Sequence, residues 1–402
     1  MILYGLMRNV QILGGDRMPE VRARAIALYL PQFHPIPEND KYWGKGFTEW
    51  TNVVKARPLY PGHYQPRIPA DLGFYDLRLP EVREQQAELA EEAGIEGFCY
   101  WHYWFGNGKE VLEKPFDEVV RTGKPDFPFC IGWANHSWTT KTWSKDKSDF
   151  KNAYIFEQTY PGATDYEKHF YRLLNAFKDH RYIKVEDKLL FLIYDLASIP
   201  DFMTFKNTWN KLADINGIPQ FYFVAYVSTL PVINRKNMGE TKKLEDMVSD
   251  TVDRYLAIGV DGVNTVNLKY AELKTRGIAY KAFIGGMRKK NLPLFLEKYN
   301  YRNIVNNYYT KKNMQLNVFP QILVGNDRSP RAGRNAIIYY NSTPENFYIG
   351  AKKAIDLVQN KDMDHRIIFV NSWNEWGEGA YMEPDQKYGK GFILALRKAL
   401  TD

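Results

Sequence analysis

Glu375 and Glu378 stand three residues apart in Asn371-Ser372-Trp373-Asn374-Glu375-Trp376-Gly377-Glu378-Gly379, directly after the apolar run Ile367-Ile368-Phe369-Val370. Two carboxyl groups beside aromatic rings can make or break a glycosidic bond, one protonating the leaving oxygen while the other assists at the sugar. The pair falls where a strand ends and its loop begins. Three-residue spacing there does not fix a separation, so the stereochemical outcome is not readable from it. The flanking Trp373 and Trp376 are expected to desolvate the acids and raise one carboxyl toward a general acid's range. The plainer reading is a pair of solvated loop acids.

Other polar and aromatic residues crowd after apolar runs in the same way. They are Gln32 and His34; Trp101, His102, Tyr103 and Trp104; Trp133, Asn135, His136 and Trp138; Asp195; Tyr226; and Asn326, Asp327 and Arg328, with Glu49 and Trp50 further candidates in the long loop after the first run. Asn135 and His136 suit sugar hydroxyls, and His102 is either a hydroxyl binder or a structural histidine in a ring cluster. Trp101, Trp104, Trp133 and Trp373 are candidate stacking platforms, which would also serve a non-catalytic sugar-binding barrel. No histidine pair or His-acid pair has metal-ligand spacing, so neither a metal nor a cofactor is expected. Asp362-Met363-Asp364 has the acid-x-acid form of metal-dependent nucleotide-sugar transferases, but it precedes a strand instead of following one. A serine-hydrolase elbow and a phosphate-cradling P-loop are absent.

Positioning these residues requires strands alternating with helices. Strands are expected at 24–33, 97–104, 127–134, 188–194, 220–227, 262–266, 317–324 and 366–371, and helices at 80–93, 165–178, 201–215 and 345–359. Eight such units in one domain over 24–402, behind a loose tail at 1–23, imply a single (β/α)8 TIM-type barrel with long βα loops. Its chemistry belongs at the C-terminal strand ends, which places Asp362 and Asp364 on the opposite, stability face. A doubly wound sheet would want a glycine-rich turn after the first strand, where Leu30-Pro31-Gln32-Phe33-His34-Pro35 stands instead. The loop before the first long helix is unusually long, and such loops usually serve function.

The composition is that of a globular chain: 402 residues, 45% hydrophobic and 25% charged, with an aromatic share of 15% that includes 10 Trp and 28 Tyr. Most rings should be core, and the remainder are available to stack on a sugar. The net charge of +7 is diffuse. Its sharpest clusters, Arg288-Lys289-Lys290 and Lys311-Lys312, read as solvated faces, and no nucleic-acid partner is expected. Cys99 and Cys130 lie in apolar stretches and suit buried free thiols in a reducing compartment. No signal-peptide pattern or apolar run long enough to span a membrane is present, so a cytoplasmic location and no transmembrane segment are expected. The sequence does not give the oligomeric state.

Four segments together resemble the WbsX-type family of lipopolysaccharide O-antigen and capsule gene clusters, itself similar to glycoside hydrolase family 99. They are Tyr29-Leu30-Pro31-Gln32-Phe33-His34, the loop Trp43 to Trp50, Trp133 to Trp138, and Asn371 to Asp385, the last adding Trp373, Asn374, Trp376 and Glu383 as candidate binding residues. The resemblance implies a metal-independent, retaining barrel enzyme whose partner is a carbohydrate. It gives Glu375 the part of a base on the sugar 2-hydroxyl, leading to a 1,2-anhydro intermediate, and Glu378 the part of acid/base. Two positions depart from the pattern: Gly377 stands where family 99 has a histidine, and His136 where an acid is expected. A sugar-nucleotide-dependent glycosyltransferase is the alternative activity.

Overall fold

The computed structural model describes residues 21–139, 154–230, 244–289 and 295–402. Eight apolar runs form parallel strands: β1 (Arg24–Tyr29), β2 (Gly97–Trp104), β3 (Phe129–Trp133), β4 (Lys188–Ile193), β5 (Phe221–Ser228), β6 (Gly262–Val266), β7 (Val318–Leu323) and β8 (Ile367–Asn371). Each strand pairs with the next, and β8 returns to β1 with Arg24 opposite Ile367, so the sheet closes into a barrel. A helical segment follows every strand: α1 (Pro80–Ala93), α2 (Lys114–Thr122), α3 (Ala163–Phe177), α4 (Phe202–Ile215), α5 (Leu244–Ala257), α6 (Leu268–Lys289, broken at Gly277), α7 (Pro344–Val358) and α8 (Gly391–Thr401). This is the (β/α)8 TIM-type barrel that the alternation predicts.

The strands read as continuous apolar runs because both their faces are covered, one by the barrel interior and the other by helices. In α3 the buried Tyr166, Phe170, Leu173 and Phe177 recur at helical spacing. Phe170 and Phe177 pack on Trp209 of α4, which itself lies 4.8 Å from Phe191 of β4 and 5.0 Å from Phe221 of β5. Much of the aromatic excess is therefore the layer between barrel and helices. Cys99 and Cys130 are buried and free, facing each other in register across β2 and β3.

The first strand stops at Tyr29, four residues earlier than its apolar run suggests. Pro31 has no N–H to continue a ladder. Leu30 gives its N–H to Asn374 Oδ1 (2.8 Å) and accepts at its carbonyl from Asn374 Nδ2 (3.0 Å), so β1 leads into the segment that follows β8. The long loop after β1 carries two short helices, Pro37–Trp43 and Glu49–Lys55, the second of which reaches the site. At the opposite end of the barrel, Asp362 accepts from the His365 N–H and Asp364 accepts from Arg24. Lys312 is paired with Asp253, whereas the side chains of Arg288, Lys289 and Lys290 and most of the expected N-terminal tail lie outside the described residues. Among the described residues no helix is long and apolar enough to cross a membrane.

Candidate active site

A cavity of about 360 Å³ opens at the C-terminal ends of the strands, and Glu375 and Glu378 both line it. A small hairpin presents them. Asn374–Glu375 pairs with Ala380–Tyr381, and a 3-10 turn, Trp376–Glu378, closes the loop. Ser372 Oγ ties the turn by accepting the Glu375 N–H (3.0 Å) and donating to the Ala380 carbonyl (2.7 Å). The Asp327 N–H donates to the Glu378 carbonyl at 2.6 Å, joining this turn to the loop after β7.

The surroundings of the two acids push their proton affinities apart. Burial, then the Glu378 charge, raises Glu375 well above the usual carboxylate range; Arg331 opposes the shift and Glu49 adds to it. Burial also acts on Glu378, but Arg328 and Arg331 outweigh it and hold this carboxyl below its usual value. Arg331 donates through Nη1 to Glu378 Oε1, while Arg328 Nη2 lies 3.2 Å from the same oxygen. The other side of the Arg331 guanidinium grips Glu49 Oε1, with Nε at 3.1 Å and Nη2 at 2.9 Å. Of the two, Glu375 is therefore the stronger holder of a proton. Environments that separate two carboxyls in this way are how one site supplies both an acid and a base.

Of the residues singled out from sequence, Gln32, Trp101, Tyr103, His136, Trp138, Tyr226, Asn326 and Arg328 join the glutamates on the cavity wall. The run Trp101-His102-Tyr103-Trp104 is split by the two-residue pleat of β2. Trp101 and Tyr103 face the cavity, while His102 meets His169 of α3 at 2.9 Å and Trp104 donates to Asp165 at 3.0 Å. Trp133 also turns toward the helices, packing on His169 and Phe205. Trp373 is wholly buried against Phe98. Of the four expected stacking platforms, then, Trp101 alone borders the cavity.

The remaining candidates support the wall from behind. Asn135 staples two loops, donating to the Asp195 carbonyl (2.7 Å) and accepting the Asp195 N–H (2.8 Å), and the Asp195 carboxylate accepts from Ser198. Trp50 donates to the Tyr75 carbonyl and packs against Trp376. Trp376 stacks on Tyr381 at 3.7 Å, and its Nε1 donates to Glu383, which also accepts from Tyr75 and Gln86. Asp327 accepts from His63 and Gln65. Glu49 is buried beneath Arg331, and His34 is fully buried off the cavity, its pKa lowered to about 4 by burial. Trp373 and Trp376 thus do not line the cavity that the acids face. The rings that feel the Glu375 charge are Tyr103, Tyr194 and Tyr226, each with its hydroxyl pKa raised, first by burial.

Arg331 and Tyr194 are the chief residues that sequence reasoning missed. Arg331 follows Arg328 by three residues across a one-turn helix, Ser329–Ala332, which returns it to the same face. A serine-proline helix start between two arginines was the available signal. Tyr194 directly follows β4, edge-on to Trp101 at 5.7 Å and stacked on Tyr226 at 5.2 Å. Among the described residues, no group of three or more His, Cys, Asp or Glu side chains is arranged to hold a metal ion.

Comparison with known proteins places this geometry in context. Two proteins from strains of Xanthomonas campestris pv. campestris, each described as uncharacterized protein WxcX, are 32% identical over 386 residues, covering 96% of this chain and 50% of theirs. The chain spans about half the length of the curated relatives it matches. A solved glycoside hydrolase-like protein shares the fold, with a TM-score of 0.60 and 13% identity over 98% of both chains. The endo-alpha-mannosidase of glycoside hydrolase family 99 from Bacteroides thetaiotaomicron aligns with a TM-score of 0.47 and 16% identity over 94% of this chain and 98% of its own. The family model described as glycosyltransferase WbsX matches residues 25–396. The chain belongs to the glycosyltransferase WbsX family.

Proposed function

We propose that this protein is an enzyme that makes or breaks glycosidic bonds with retention, through Glu375 and Glu378 and without a metal, on a bacterial surface polysaccharide or its precursor. The observation that carries the reading is a pair of carboxyls on the wall of a single cavity of sugar-binding size, in surroundings that raise the proton affinity of Glu375 and lower that of Glu378. In the first step O2 of the sugar attacks C1, Glu375 takes the 2-hydroxyl proton, the C1–O bond to the leaving group breaks, and Glu378 protonates the departing oxygen. In the second, Glu378 takes the proton of the acceptor as its oxygen attacks C1, the C1–O2 bond of the anhydro ring breaks, and Glu375 returns its proton to O2. Two inversions at C1 give retention.

This division of labour follows the family resemblance, and it requires the proton to cross from Glu375 to Glu378 as the sugar enters. A pair of coupled carboxyls sharing one proton permits that crossing. The experiment measures turnover of aryl glycosides and of unactivated saccharides by Glu375→Gln and Glu378→Gln. Both variants should lose activity on saccharides, and Glu378→Gln should regain the first step, seen as phenol release, with acidic phenol leaving groups, which need no proton, while its second step stays slow. Unchanged turnover in both variants would sink the assignment, and recovery confined to Glu375→Gln would exchange the two roles.

Water and a sugar hydroxyl are equally competent acceptors in the second step, and the family's description favours the sugar. Adding acceptor saccharides and quantifying transfer against hydrolysis products distinguishes the two. A nucleotide-sugar donor, the other route to transfer, would show as a rise in melting temperature on its addition.

A further inference from the structure

A second cavity, of about 300 Å³, lies on the same end of the barrel, built from the loops after β1, β7 and β8. Asp327 forms part of its floor, whereas the neighbouring Asn326 and Arg328 line the cavity that holds the glutamates. The two cavities therefore sit back to back across one loop. The walls are also tied together: Arg67, which lines the second cavity, donates to the Gly379 carbonyl at 3.3 Å.

The chemistry of this second cavity is cationic. Lys387 on its wall holds its ammonium 4.8 Å from the Tyr64 ring centre and 4.9 Å from that of Tyr388. Lys298 lies beside it, 4.0 Å from the ring centre of Tyr60, and His63 stacks on the same tyrosine at 4.6 Å. Among the described residues neither lysine has a carboxylate within ion-pair distance; each rests on aromatic rings, a weaker partner than an anion. The carboxylates nearby are already engaged. Asp327 accepts from His63 and Gln65 and lies 3.7 Å from Arg67, and Asp385 accepts from the Tyr381 hydroxyl and two backbone N–H groups. With cations on the rings of Tyr60 and Tyr64, the cavity offers charge and the polar side chains of Asn341 and Ser342 in place of a bare stacking platform.

We propose that this cavity is an oxyanion-binding site that takes the phosphate or carboxylate group of an acidic saccharide, with Lys387 and Lys298 as its principal cations. The site stands whether or not the neighbouring cavity performs glycosidic chemistry. Its place on the catalytic end of the barrel suits a saccharide long enough to occupy both cavities, and its backbone links to the Glu378 turn couple the two.

The test is calorimetric titration of the whole protein with inorganic pyrophosphate and with glucuronate, using glucose as the neutral control. At least one anion should bind and glucose should not; pyrophosphate alone identifies a phosphate site and glucuronate alone a carboxylate site. Lys298→Ala/Lys387→Ala should weaken binding about a hundredfold, roughly tenfold for each of two lost charge-assisted contacts. Arg328→Ala, which alters the other cavity, should leave it unchanged. If the double variant misfolds, Lys387→Glu alone should abolish binding, since Lys387 is itself exposed and its substitution disturbs no core packing. No binding of either anion, binding that tracks Arg328, or equal binding of glucose overturns the proposal. Glu375→Gln should bind the anion like the parent protein, so failure of the anion site and failure of the glycosidic reading are separately visible.

Discussion

The Glu49 carboxylate occupies the space that a side chain on Gly377 would need: a Cβ built at position 377 would lie 1.7 Å from Glu49 Oε1 and 3.0 Å from Arg331 Nε. Position 377 lies between the two candidate catalytic acids, where the chain departs from the pattern of the family it resembles by having no side chain. A side chain from elsewhere in the chain fills that space. The helix Glu49–Lys55, in the loop after β1, inserts a carboxylate that holds Arg331, and Arg331 holds Glu378.

Gly377→Ala should therefore act through Glu49. The added methyl would force that carboxylate and the Arg331 guanidinium to move, at a cost of about 1–3 kcal/mol for overpacking a buried site. In a Glu49→Ala background the obstacle is gone, so the same substitution should cost little. Denaturant midpoints of the single and double variants check this through the coupling between the two sites. Equal destabilisation in both backgrounds would show that Glu49 is not the obstacle.

Arg331→Met should destabilise the protein in a pH-dependent way. The substitution leaves Glu49 buried without its cation and Glu378 with Arg328 alone, and breaking a buried pair such as Glu49–Arg331 costs roughly 3–5 kcal/mol. Glu378 has a depressed pKa in the folded state, so its favourable contribution is present above the unfolded carboxylate pKa and is lost as pH falls through the folded value. The gap between parent and variant should be widest at neutral pH and narrow toward acid. Urea unfolding across that range measures it, and a gap independent of pH would remove Arg331 as the source of the shift.

Glu375→Gln should stabilise the protein while abolishing its activity. Glu375 has a raised folded pKa, so ionising it in place costs stability. That cost is nil below the unfolded carboxylate pKa, grows as pH rises above it, and is complete above the folded value. A neutral amide avoids the cost, giving a gain on the order of 1 kcal/mol or more at mildly alkaline pH that disappears near pH 4. Melting temperatures at the two pH values report it, and a gain of the same size at both would point to packing instead of charge.

The barrel was legible because apolar runs recur eight times, with helical periodicity readable between several of them, and the run ends mark the reactive face. Glu375 and Glu378 stood out for the same reason. Which neighbours share their cavity was less legible, since a run such as Trp101 to Trp104 is one cluster in sequence and two faces in a strand. Counting alternate residues from Trp101 selects Tyr103 and leaves His102 and Trp104 to the helices. Arg331 and Glu49 were harder to place, because they come from loops 282 residues apart and meet only once the barrel closes. Glu49 was named for its place in the long loop, but its link to Gly377 depends on a close approach that only three-dimensional structure reveals.

The same close approach occurs at Gly132, which lies opposite Trp101 in the β2–β3 register. A Cβ there would lie 2.9 Å from the indole ring and 3.1 Å from Cys99 Sγ. The glycine allows the indole to lie against β3, edge-on to Tyr194 and Tyr226, where it borders the cavity. Gly132→Ala must push the ring toward the space a sugar would occupy, whereas Trp101→Ala removes the platform and leaves the glutamates in place. An aromatic contact contributes about 0.5–1.5 kcal/mol beyond burial, so Trp101→Ala should raise KM roughly 2- to 12-fold with kcat much less affected. Gly132→Ala should raise KM as well, and in a Trp101→Ala background it should have no further effect because the ring it displaces is absent. Steady-state kinetics on the four proteins of this cycle decide the point: an unchanged KM in Trp101→Ala would mean that the sugar does not rest on the indole.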